Sequence, residues 1–167
     1  MLRSAVLIIC RVIQLSSITI LILFALSLFI VPVSTHCGRT FACSSNLKAL
    51  WSAQLNYASQ YGRPHGDMPT ETGGSFWLRL QETPKPLIDR YEPFFCPLAC
   101  EDPVAGRTSY RGPTRPVATH RDEDPVGADR EGNHDDEGGW VLTKLGDIRF
   151  CDSHEALWIR ARETTKD

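Results

Sequence analysis

Apolar and polar residues follow three regimes along the chain. From Val12 to Val33 the sequence reads VIQLSSITILILFALSLFIVPV, 22 residues without a charge. At ~1.5 Å rise per residue this stretch is about 33 Å long, enough for a bilayer core of roughly 30 Å. The pattern predicts a transmembrane helix over 12–33, a cytoplasmic N-terminus over 1–11 and a connector over 34–42. In the second regime Leu47, Leu50, Trp51, Ala58 and Tyr61 recur at helical spacings. One apolar stripe of this kind predicts a helix over 44–61 that packs on a core. Ser44 or Ser45 supplies its cap, and Gly62 with Pro64 its stop.

The third regime has no sustained period. Phe76, Trp77 and Leu80 share a face of a short helical piece, SFWLRLQE. Residues 83–116 hold seven prolines in 34 positions, which argues against a long helix or a central strand. Residues 62–139 are therefore expected to be loop-rich. Two short apolar runs, Trp140–Thr143 and Ile148–Cys151, flank Gly146-Asp147 and predict a β-hairpin over 140–151. Asp152 followed by Glu155 has the spacing of a capping box, opening a last helix over 153–163. The whole of 43–167 is expected to form one exported domain.

Composition changes the picture in two ways. The chain has 167 residues, with 18 bases against 20 acids. Only Arg3 and Arg11 are charged in the first 38 residues, so the remainder carries 16 bases against 20 acids, or −4. Such a balance excludes a basic nucleic-acid binder. The basic residues before the apolar stretch favour a cytoplasmic N-terminus and export of Ser34–Asp167, so the bilayer is the first expected partner. A cleaved signal peptide is the rival reading, but the apolar run is longer than the usual ~7–15 residues. Cys37, Cys43, Cys96, Cys100 and Cys151 then lie where disulfides persist, and an odd number leaves one thiol over. Cys96 and Cys100 have the spacing of half a zinc site, with no second short pair to complete it.

Candidate chemistry is sparse. No nucleophile elbow, zinc-protease helix motif, phosphate loop or dinucleotide turn is present. The histidines at 36, 65, 120, 134 and 154 are scattered and read as surface or structural residues. No catalytic residue is assigned, and the chain is expected not to be an enzyme. Residues 121–137 hold eight acids in 17 positions. Within them Asp129, Glu131, Asn133, Asp135 and Glu137 alternate, and such side-chain oxygens can converge on calcium as a cofactor. The match to a calcium helix-loop-helix fails at His134, where glycine is required, and at Trp140, where glutamate is required. A membrane-tethered metal-dependent enzyme or sensor using residues 121–137 is the alternative function.

Several short pieces carry a family resemblance. Cys43-Ser-Ser-Asn-Leu-Lys-Ala-Leu, Asn56-Tyr57 and Tyr61-Gly62 resemble the start of the exported region in bacterial type II secretion pseudopilin-like proteins, relatives of type IV pilins. Phe95-Cys96-Pro97, Tyr110-Arg111-Gly112, Gly132-Asn133-His134 and Gly139-Trp140-Val141-Leu142 resemble later parts of that group. The chain departs from it in having no glycine before Gly38 and no glutamate before Glu71, so the prepilin leader motif is absent. The resemblance implies an α+β fold: an anchor helix, then a pilin-like head with a helix on a small antiparallel sheet and a short C-terminal helix. It implies a non-enzymatic component of a secretion or pilus-like apparatus at the bacterial inner membrane, with other pseudopilins or apparatus proteins as partners. It also implies a Cys43–Cys96 disulfide, with Cys100–Cys151 as the next pair.

Overall fold

The structure, a computed structural model, describes residues 41–62, 66–99, 104–134 and 137–167. Its first element, α1, is a helix over 41–60. Leu47, Leu50, Trp51 and Ala58 are buried along one side of it, while Lys48, Ser52, Leu55, Asn56 and Ser59 are exposed. Gln54 also lies on the buried side, where its side-chain amide donates to the Phe76 carbonyl. That bond fastens α1 to α2, the short helix Gly74–Leu78.

Five strands follow: β1 Tyr110–Pro113, β2 Pro125–Asp129, β3 Gly138–Thr143, β4 Ile148–Asp152 and β5 Thr165–Lys166. They form one sheet in the order β4-β3-β2-β1-β5, and every pairing is antiparallel. The last helix, α3, runs Ala156–Thr164 and leads directly into β5.

The sheet is covered on both faces. Strand alternation assigns the side chains: Trp140, Leu142 and Ile148 join the larger cluster with α1 and α2, whereas Val141 and Cys151 join Trp158 and Ala161 of α3. A tryptophan lies against the sheet on each side, and each needs a glycine beneath it. A Cβ on Gly127 would sit 2.7 Å from the Trp77 ring, and one on Gly139 would sit 2.8 Å from the Trp158 ring.

The expected fold class requires correction in its leading element. Among the described residues no helix is long and apolar enough to cross a membrane. The helix α1 is amphipathic rather than apolar all round, so it suits a protein core and not a bilayer. The stretch 12–33 and the segments 1–11 and 34–40 lie outside the described residues. What the structure holds is an α+β fold, a five-stranded antiparallel sheet with three helices among the described residues.

The middle of the chain differs from the loop-rich expectation. It supplies β1 and β2, which occupy interior positions in the sheet order. The prolines are accommodated by position. Pro113 ends β1, where no ladder N–H is required of it, and its carbonyl accepts from Gly73 N–H at 2.8 Å. Pro125 is the first residue of β2, another place where a missing N–H is tolerated. β2 lies within the acidic stretch 121–137, yet all five of its residues are buried. The terminal helix begins at Ala156 because residues 153–155 form a turn, in which Asp152 N–H donates to Glu155 Oε1 at 3.1 Å.

Candidate functional site

One buried cluster joins α1 to the sheet. Cys43, in the first described turn of α1, is disulfide-bonded to Cys96, and their Cα atoms are 4.9 Å apart. Both are buried. Cys96 follows the 3-10 turn Glu92–Phe94, and its N–H donates to Ser109 Oγ at 3.0 Å. The Ser109 carbonyl accepts in turn from Arg130 N–H and from the Asn133 side-chain amide, each at 3.0 Å.

Tyr110 opens β1 and reaches under α1. Its hydroxyl lies 3.2 Å from the Cys43 carbonyl and 3.4 Å from the Phe95 carbonyl. The Asn46 side-chain amide also donates to the Phe95 carbonyl, at 3.0 Å. Burial, with the Asp129 carboxylate adding to it, holds the Tyr110 phenol well above its ordinary pKa. It therefore stays a hydrogen donor across the physiological range.

Asp129 ends β2 with its carboxylate fully buried. Its Oδ2 accepts from Trp140 N–H and from His134 Nε2, both at 2.8 Å. The latter contact selects the Nε2–H tautomer of His134. His134 Nε2 is also 3.8 Å from Cys96 Sγ, and the imidazole meets the Phe150 ring edge to face at 5.6 Å. Asp129 Oδ1 is buried without a hydrogen-bond partner. Ligand atoms from Cys43, Cys96, Asp129 and His134 all lie within 4.8 Å of one another.

The expected calcium ligands that are described have other partners or face solvent. Asp129 faces inward to His134 and Trp140, and Asn133 donates to Ser109. Glu131 is half exposed and paired with Arg111 at 3.7 Å and with Arg162. Glu137 is exposed, and Asp135 lies outside the described residues. Elsewhere in the acidic stretch, Asp122 pairs with Lys144 and Asp124 with Arg115. The described carboxylates of 121–134 other than Glu123 are thus engaged with cations, an imidazole or backbone.

The second expected disulfide is not made. Cys151 is a free thiol buried against α3, on the sheet face opposite the Cys43–Cys96 bridge cluster. Burial pushes its pKa up, only partly opposed by Arg149, so it stays protonated. Cys100 lies outside the described residues.

Sequence reasoning missed the Asp129–His134 pair, because nothing local distinguishes a buried acid from its exposed neighbours. The available signal was the run Pro125-Val126-Gly127-Ala128, apolar and flanked by charges, which places Asp129 at the end of a buried strand. Two surface clefts, of about 320 and 220 Å³, are lined mainly by polar residues of the ion pairs Arg130–Asp167 and Arg162–Glu131 and their neighbours. No family model, curated protein or solved structure matches the chain, so these comparisons supply no pilin or pseudopilin relationship.

Proposed function

We propose that the chain acts without catalysis, as a pseudopilin-like association module of a secretion or pilus-like apparatus. In this reading the chain works at the bacterial inner membrane, with the 43–167 domain outside the cytoplasm. One observation carries the reading: five of the seven short pieces that resemble pseudopilin-like proteins meet at a single joint, all but Asn56-Tyr57 and Tyr61-Gly62. Cys43 meets Cys96, Tyr110 touches the carbonyls of Cys43 and Phe95, and Asn133, His134 and Trp140 close around Ser109 and Asp129. A covalent and hydrogen-bonded joint between a leading helix and a sheet suits a domain that is pulled or positioned through that helix. Its polar groups are sealed from solvent, which favours a mechanical role over turnover of a substrate. The partner surface is assigned to the outer side of α1, where Phe41 and Leu55 are exposed.

The test is photocrosslinking of the full chain in membranes of the producing cell, with the crosslinker at Leu55 or, as a control, at Asp89, exposed and far along the chain. Discrete crosslinked proteins from Leu55 alone are expected. Labelling that is absent, or equal from both sites, overturns the reading, as does recovery of the chain from a soluble fraction without detergent.

A further inference from the structure

The disulfide shares its pocket with groups a disulfide does not need. Four side chains from three separate parts of the chain meet there: Cys43 from α1, Cys96 from the loop after the 3-10 turn, Asp129 from β2 and His134 from the turn beyond it. All four are buried, and their ligand atoms lie within 4.8 Å of one another. Two sulfurs, an imidazole nitrogen and a carboxylate oxygen are the donors of a tetrahedral, borderline-soft divalent cation such as zinc. They are a poor set for calcium, which takes oxygen alone.

The distances support the same assignment. Metal–ligand bonds of ~2.0–2.3 Å at tetrahedral angles place neighbouring donors about 3.3–3.8 Å apart. Cys96 Sγ and His134 Nε2 are already 3.8 Å apart. His134 Nε2 and Asp129 Oδ2, at 2.8 Å, would open by about half an ångström on exchanging their proton bridge for a metal. Asp129 Oδ1 is the second, independent observation. A fully buried carboxylate oxygen without a partner is costly, and a cation bound to the carboxylate would remove that cost.

We propose that Cys43, Cys96, Asp129 and His134 form a zinc site whenever the bridge is reduced, so the joint has a disulfide-locked and a metal-locked form. The chemistry balances with a dithiol as reductant. It delivers two electrons and two protons to the Cys43–Cys96 bond, giving two thiols and leaving as its own disulfide. Zn²⁺ then displaces the two thiol protons to solvent. His134 binds as the neutral ring, its proton moving to Nδ1. The two thiolates neutralise the cation, and the carboxylate of Asp129 is the fourth donor, giving the site a net charge of −1. In both forms α1 remains fastened to the sheet, so reduction alone does not release the joint while the metal is present.

The test uses the full chain, reduced with dithiol, stripped with chelator and titrated with Co²⁺ and then Zn²⁺. The reduced protein is expected to bind one Co²⁺ per chain, with a thiolate-to-cobalt charge-transfer band and intense tetrahedral visible bands that Zn²⁺ abolishes. The oxidised protein should show neither band. His134→Gln and Asp129→Asn should each weaken binding by about 100-fold or more, since even a group that only orients a ligand is worth ~10–100-fold. Cys37→Ser and Cys100→Ser should leave it unchanged. Alkylation mapping of the reduced wild-type chain gives a second readout that needs no variant: Zn²⁺ should slow alkylation of Cys43 and Cys96. Absence of stoichiometric binding by the reduced chain, binding unaltered by both variants, or equal alkylation with and without Zn²⁺ overturns the proposal.

Discussion

The two faces of the sheet are built to the same plan but fastened differently. On the α1 face, α1, α2 and the segment around Phe94–Cys96 bury fifteen residues in one cluster, among them Trp77, Tyr110 and Phe76. On the α3 face only five buried residues form a cluster, with Trp158 as its one large side chain. The first face has a disulfide and a set of buried hydrogen bonds between side chains and backbone. The second holds a free thiol, and its ties are those that hold the end of α3: Thr165 Oγ1 to the Ala161 carbonyl at 2.6 Å and Thr164 Oγ1 to the Pro125 carbonyl at 3.3 Å. The difference shows how the ends are held. A C-terminal helix that passes directly into an edge strand is positioned by chain continuity. A helix at the start of the domain, 53 residues from the bridge partner of Cys43, needs a lasting link to its loop.

The largest effect should come from that link. Closing a loop of 53 residues removes unfolded-state entropy worth about 4 kcal/mol, so the Cys43→Ser, Cys96→Ser double variant should lose about that much stability in metal-free denaturant titrations. A loss under ~1 kcal/mol would mean that the α1 face is held by packing alone.

Next come the tryptophans, for which truncation of a buried ring costs about 3–5 kcal/mol at most sites. Trp77→Ala should approach about 4 kcal/mol, because the ring is fully buried and its Nε1 donates to the Arg111 carbonyl at 3.1 Å. Trp158→Ala should fall lower, because its cluster is small. Equal losses by chemical denaturation would break the comparison between the faces.

Tyr110→Phe keeps the ring and removes the hydroxyl that donates to the Cys43 carbonyl beneath α1. Leaving a buried acceptor short of a donor costs about 1–3 kcal/mol, and calorimetry should find a drop in that range with the fold retained.

The smallest effect concerns pH. His120 is buried, its Nε2 3.3 Å from the Arg115 carbonyl and its Nδ1 without a partner. Desolvation, then the Arg115 charge, lowers its pKa, with Lys144 acting in the same sense and Asp124 opposing. The folded state therefore binds fewer protons than the unfolded chain below the ordinary value of about 6.5. Its contribution is complete above that pH and is lost as pH falls through it toward the folded-state value. Stability measured from pH 7.5 down to 5 should decline, and His120→Gln should flatten that decline. An unchanged slope would remove His120 as its source.

Legibility from sequence followed the range of the interactions. The stripe of Leu47, Leu50 and Trp51 reports a helix and its buried side because neighbours three and four apart share a helical face. Gly146, at φ 95°, marks the β3–β4 turn because few other residues accept that backbone. Leu55 and Gln54 show the limit. Leu55 is apolar and exposed, Gln54 polar and buried, and only the position of α2 makes that order sensible. The proline-rich and acidic segments were unreadable for the same reason: whether Pro113 or Pro125 disrupts a strand depends on which edge is paired there.

By itself the sequence determined the apolar N-terminal stretch, the amphipathic character of α1 and the turn chemistry of the last hairpin. Each depends on residues close in the chain. The tertiary structure decided the sheet order β4-β3-β2-β1-β5, the burial of Asp129 and His134, and the freedom of Cys151. The pairing of Cys43 with Cys96 was implied by resemblance and not by spacing, and the fold supplied its geometry. Those outcomes depend on which distant segments pack together, because burial sets both the cost of a charge and the partners within its reach.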